Sequence, residues 1–289
     1  MTGVQTCALP ILAGTFYPGT PIVLSAAVQA FLADAGSMQK TRDPLPEALV
    51  VPHAGYVYSG PVAAPAYRRI AAGRASVRRV VLLGPVHRVP IRGLALPAAQ
   101  AFETPLGTVA VDVDAAARAL ELPQVRVSDA AHALEHSLEV QLPFLQTLLD
   151  EFKIVPFAVG DATAEEVSEV IDHLWGGPET LIVVSSDLSH YHPYAAAQQI
   201  DRGTAAAILA LDASIDHEQA CGATPINGFA LCARRRHLKP ELLDLRNSGD
   251  TAGDKSRVVG YAAFAFTEDA RGGAPQAVVE QALEPADAG

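Results

Sequence analysis

Basic charge is the first thing this chain lacks. Its 21 Lys and Arg stand against 32 Asp and Glu, a formal charge of −11. A nucleic-acid binder needs a basic stripe to meet phosphates, and an anionic membrane surface calls for the same. Neither partner is expected here. Long apolar runs are also missing, since none approaches the roughly 20 residues that cross a bilayer. Cysteine is scarce, with three residues in 289, too few for a disulfide framework and in keeping with a reducing cytoplasm. Several ready-made enzyme signatures are absent: the G-x-S-x-G elbow, the Walker loop, H-E-x-x-H, paired C-x-x-C, and a dinucleotide fingerprint after the first strand. What remains is a chain that is 49% hydrophobic, ample for a large buried core.

The ends are set aside. The string VQTCALPI at 4–11 is similar to the translation of a sequencing-adapter read, so residues 1–11 are taken as a non-native leader carrying Cys7. Residues 268–289 are rich in Ala, Gly, Pro and acids and are expected to form a disordered tail. Between them, 12–267, strands alternate with helices. This predicts one layered α/β domain with a mostly parallel central sheet flanked by helices. Strands are expected at 48–52, 79–84, 153–159, 180–186 and near 257–266. Short ones are expected at 93–97 and 107–113, paired across the loop between them. Helices are expected at 21–35, 61–72, 114–120, 136–150, 163–175, 194–211, 214–220 and 226–237. Continuous runs such as Val80-Val81-Leu82-Leu83 mark strands buried on both faces.

Three of these runs end in chemistry. One leads to His53, one to His87, and one to Asp187 and His190. In open α/β sheets, ligands bind at the carboxyl ends of the strands. Asp187 and His190 are spaced to share one turn, as an acid–base pair or as an N-cap beside a surface His. Ser185 and Ser186 follow four aliphatics, where a substrate can approach, and Tyr56 and Tyr58 follow His53. Glu135 and His136 open a helical pattern. They satisfy its N-terminus, or they orient ligands from behind. Cys221 reads either as a buried inert thiol or as a third ligand beside the two histidines. An imidazole and thiolate set suits iron, copper or zinc. Cys232 lies on an apolar pattern and belongs to the core. His132, His173, His217 and His237 sit in no motif and are taken as surface.

Seven segments together resemble the Memo family, whose bacterial and archaeal members carry the label AmmeMemoRadiSam system protein B. They are AGTFYPG at 13–19, PHAGYVYSGPVAA at 52–64, LLGPVH at 82–87, ETPLG at 103–107, EHSLEVQLPFLQ at 135–146, VVSSDLSHY at 183–191 and ACGATPINGF at 220–229. The resemblance implies a fold like the LigB, extradiol-type, class III non-heme iron dioxygenases. It implies a mononuclear metal site of His53, His87 and Cys221, with Asp187 and His190 in the same pocket. Tyr56, Glu135, His136 and Ser186 would lie around the ligands or the substrate. The implied cofactor is iron or copper, with zinc an option. The implied activity is redox chemistry, dioxygenase-like, on a small molecule or peptide. The family label implies association with a radical-SAM protein and an AMMECR1-like protein. Two rival functions stay open: a peptide-binding adaptor, which needs a basic rim from Arg88 and Arg92, and a Cys–His hydrolase with Cys221 as nucleophile.

Overall fold

The computed structural model describes residues 7–8, 10–36 and 44–268. Its strands are β1 (Cys7–Ala8), β2 (Ala48–Val51), β3 (Arg79–Pro85), β4 (Leu94–Leu96), β5 (Ala101–Thr104), β6 (Gly107–Val111), β7 (Val125–Val127), β8 (Lys153–Val159), β9 (Thr180–Ser185), β10 (His190–His192), β11 (Leu238–Asn247) and β12 (Val258–Glu268). Its helices are α1 (Pro21–Asp34), α2 (Tyr56–Arg69), α3 (Val113–Ala119), α4 (Asp129–His132), α5 (Leu142–Leu148), α6 (Ala164–Leu174), α7 (Tyr194–Leu209), α8 (Ala223–Arg235) and α9 (Ser248–Thr251). No helix among the described residues is long and apolar enough to cross a membrane.

The strands build one mixed sheet whose centre is parallel. Its order runs β5-β6-β8-β3-β9-β2-β12, with β6 through β2 all parallel and β12 antiparallel to β2. Side chains alternate between the faces, and both faces are packed. Leu49, Val51, Val80, Leu82, Leu181 and Val183 enter one core with α1, α2 and α5. Val50, Val81, Leu83, Ile182 and Val184 enter the other with α6 and α8. Each such side chain contributes about 1.5–3 kcal/mol on burial. This double burial is why the strands read as unbroken apolar runs.

Four sequence expectations change. The segment 107–113 does not pair with 93–97: β6 pairs with β5, while β4 pairs with β7 and β8. The helix expected at 61–72 begins at Tyr56, so Pro61 and Pro65 lie inside it. Pro61 removes a bond to the carbonyl of Val57, an exposed residue where water can serve instead. The helix expected at 136–150 is only a 3-10 turn, Glu139–Gln141, followed by α5. Pro143 has no N–H for the carbonyl of Glu139, so the helix restarts with proline in its first turn. The chain at 214–220 makes turns, not a helix, with Asp212 and Asp216 accepting backbone N–H groups.

Strand β11 was not foreseen. It contains Pro240 and alternates poorly, as an edge strand that pairs only with β12 can afford to do. The strand Cys7–Ala8 pairs with β5 and falls within the expected leader. Residues 269–289 lie outside the described residues.

Candidate metal centre

Strands β3, β9 and β2 are adjacent and parallel, so their carboxyl ends open at one rim. β2 delivers His53, β3 delivers His87, and β9 delivers Ser186 and Asp187. The turn before α8 brings in Cys221. Gly222 makes that approach possible, because a Cβ there would meet the Ser186 side chain at 2.6 Å. Its N–H donates to Ser186 Oγ at 2.9 Å. Cys221 Sγ thereby stands 3.3 Å from His53 Nε2.

A third imidazole joins them. Ligand nitrogens of His53, His87 and His136 all lie within 4.8 Å of one another. Cys221 is not part of that mutually close trio, although it touches His53. His53 stands nearly perpendicular to both neighbours, with ring centroids 5.3 Å from each. His87 and His136 stack at 4.4 Å.

Glu135 holds the exposed side of the cluster. The His87 N–H donates to Glu135 Oε2 at 2.6 Å, and His87 Nδ1 lies 2.8 Å from Oε1. The Ser137 N–H donates to Oε1 at 2.9 Å. Burial alone would raise this carboxyl, but these donors outweigh it and hold it down at about 2. An ionised carboxylate only accepts, so His87 Nδ1 carries a proton toward Glu135.

Burial sets the other charges. It pushes His53 well below its usual range, and it pulls His136 to about 4 with help from neighbouring His87. His190 is lowered for the same reason. Its Nδ1 donates to the Leu188 carbonyl at 2.8 Å. Burial raises Asp187 to about 7, even though the His53 and Ala54 N–H groups donate to it. The Cys221 thiol is pushed up to about 12 by burial and by the Asp187 charge. Burial thus favours the neutral forms of His53, His136, His190 and the Cys221 thiol, beside one firmly ionised carboxylate, Glu135.

These seven motifs share one chain, and a family model describes them together. The model for Memo-like proteins matches residues 9–265. The chain belongs to the Memo family. A MEMO1 family protein of Sulfolobus acidocaldarius is 36% identical, covering 89% of this chain and 98% of its own length. One from Methanopyrus kandleri is 38% identical and one from Aquifex aeolicus 35%, each over 89% of this chain and 98% of its own. A crystal structure of an uncharacterized Escherichia coli K12 protein superposes with a TM-score of 0.49 at 15% identity. That match covers 75% of this chain and 98% of the other.

Not every expected residue faces the Memo pocket. Tyr56 turns into the core, 4% exposed, with its hydroxyl donating to the Val140 carbonyl at 2.8 Å. Helix α2 starts at Tyr56, and the ring packs against Tyr17 and Phe144. Asp187 and His190 do not share a helical turn, because His190 opens β10. Arg92 pairs with Glu166 and donates to the Asp161 carbonyl. His132 is not a surface residue: it is half-buried, with Nε2 donating to the Ala95 carbonyl at 2.9 Å.

Sequence reasoning missed three supports. Asp201 of α7 accepts the Ser189 N–H at 3.0 Å and so holds the segment between Asp187 and His190. It fits only because Gly260 has no side chain, as a Cβ would meet Asp201 Oδ2 at 2.1 Å. Glu139 accepts from the Tyr17 hydroxyl (2.5 Å) and the Leu12 N–H (3.0 Å), tying the AGTFYPG segment beside His136. Gln141 lies behind His53. Glu139 and Gln141 both sit in the segment EHSLEVQLPFLQ, where polar residues interrupt an apolar pattern. That interruption was the available signal.

Proposed function

We propose that this Memo family protein binds a single transition-metal ion through His53 and His87, with His136 and Cys221 completing the donor set on either side. The observation that carries this is the imidazole trio within 4.8 Å. Donors around one tetrahedral zinc-sized ion stand about 3.4 Å apart, at roughly 2.1 Å each, so the trio draws together on binding. Burial lowers His53 and His136 and so favours their neutral form, the one that ligates, leaving fewer protons to compete. The thiol gives up its proton on binding. A mixed imidazole–thiolate set suits iron or copper, and also zinc.

Bound there, the metal would supply Lewis acidity and, if iron or copper, a change of oxidation state. The chain's own residues supply the rest. Asp187, raised to about 7, is suited to hold or release a proton near neutral pH. His190, with Nδ1 committed to the Leu188 carbonyl, has Nε2 left to act as a base. Ser186, donating to the Asp187 carbonyl at 2.7 Å, keeps the Cys221 turn in place. We assign the activity as oxidoreductase chemistry on a small molecule or peptide.

The contact between Cys221 and His53 also favours a second reading, a Cys–His hydrolase. Its nucleophile would have to be a thiolate, whereas burial pushes Cys221 the other way. Metal content of anaerobically purified protein tests the choice. We expect one ion per chain, with none in His53→Ala and a loss of about 10–100-fold in affinity in His136→Ala and Cys221→Ser. Metal-free protein whose Cys221 is alkylated rapidly at neutral pH would favour the hydrolase.

A further inference from the structure

The tautomer of His53 is fixed from behind by three residues that never reach the pocket. Ser185 Oγ lies 2.6 Å from the Ser137 carbonyl. A carbonyl only accepts, so the single hydroxyl proton of Ser185 is committed there. Gln141 Nε2 lies 2.9 Å from the Pro52 carbonyl, which fixes the amide with its nitrogen on that side. The same nitrogen donates to Ser185 Oγ at 2.8 Å. The amide oxygen accepts from the Tyr67 hydroxyl at 2.7 Å. Tyr67, Gln141 and Ser185 are 0%, 1% and 0% exposed, so water does not reassign these bonds.

One lone pair is left on Ser185 Oγ, and His53 Nδ1 sits 3.0 Å from it. A proton must lie between them, and Ser185 has none to give. His53 Nδ1 therefore carries it. We infer that Tyr67, Gln141 and Ser185 are positioning residues that hold His53 in the Nδ1–H form, leaving the Nε2 lone pair facing Cys221 and the imidazole cluster.

The cost of losing that fixing follows from the contacts. In the opposite tautomer, Nε2 would carry the proton and be unable to ligate, while Nδ1 and Ser185 Oγ would meet lone pair to lone pair. No carboxylate takes part, so the control is purely geometric. Partners behind a ligating histidine commonly carry 10–100-fold of the metal affinity.

The affinity part rests on the metal-centre proposal; the tautomer does not. The first test is nitrogen-15 NMR on metal-free, uniformly labelled wild-type protein. We expect His53 with Nδ1 protonated and Nε2 bare; a protonated Nε2 overturns the inference, whether or not metal ever binds. Titration with zinc then compares variants. Ser185→Ala should mix the tautomers and weaken zinc about 10–100-fold. Tyr67→Phe should change affinity less than threefold, because the Pro52 carbonyl still orients Gln141. A Ser185→Ala protein that keeps a pure Nδ1–H His53 and wild-type affinity overturns the assignment. Should that variant not fold, Gln141→Leu replaces it, with a smaller shift toward mixed tautomers expected and an unchanged tautomer counting against us.

Discussion

The two strand-end histidines are supported in opposite ways. His53 is 1% exposed and leans on a neutral hydroxyl, Ser185, itself held by an amide and a carbonyl. His87 exposes 26% of its side chain and leans on an ionised carboxylate that is only 1% exposed. A charge behind His53 would have to be buried without water, at a cost of several kcal/mol. Geometry does that job instead. At His87 the donors converging on Glu135 make a buried carboxylate tolerable. The same task, presenting Nε2, is done by shape on one side and by charge on the other.

The largest way to break this contrast is Glu135→Gln. The side chain keeps its shape but loses its charge, and its amide faces N–H donors. Charge-assisted bonds of this kind are worth roughly 1.5–3 kcal/mol each, so we expect about 3 kcal/mol lost in urea unfolding. Metal affinity should fall about 10–100-fold. A loss under 1 kcal/mol would mean that His87 is not held by charge.

Acid sharpens the contrast further. Glu135 has its folded pKa at about 2, depressed from 4.5. Its contribution is fully present above pH 4.5 and is lost as pH falls toward 2. The gap corresponds to roughly 3 kcal/mol. Wild type and Glu135→Gln should therefore converge in stability between pH 4.5 and pH 2. Asp187 has the opposite sign: raised from 3.8 to about 7, it weakens the fold as pH rises through that window, and Asp187→Asn should remove that decline. Ser185→Ala should follow neither carboxylate's course, since no carboxylate lies in that support. Unfolding curves at several pH values separate the three behaviours.

Much of the scaffold could be read from the chain, and the reasons are local. The unbroken runs at 80–83 and 181–184 announce strands packed on both faces, and in each case the residue beyond the run is where chemistry begins. His53, His87 and Asp187 were visible by that rule alone. The supports were not. Gln141 and Glu139 sit in what looks like an amphipathic helix, and only Pro143 hints that it breaks. Asp201 lies on α7 with nothing in the sequence to link it to Ser189, because the link runs through the missing side chain of Gly260. That His136 stands beside His53 and His87 was equally hidden. Two adjacent residues, Glu135 and His136, turn to the same pocket only because the chain there is not helical.

The smallest expected effect tests what joins the two supports. Ser137 donates its N–H to Glu135 and lends its carbonyl to Ser185, so both histidines hang from one backbone unit. Its hydroxyl does something separate, donating to the Pro85 carbonyl at 3.0 Å. Ser137→Ala removes only that last bond. A neutral hydrogen bond contributes about 1 kcal/mol, and the unpaired Pro85 carbonyl adds to the loss, so we expect about 1–2 kcal/mol in unfolding and less than a threefold change in zinc affinity. Both supports should survive because both use main-chain atoms, which the substitution leaves in place. If Ser137→Ala instead weakens metal as much as Glu135→Gln, the hydroxyl sets the path of the chain around Ser137. The contrast between a shaped support and a charged one would then reduce to a single shared anchor.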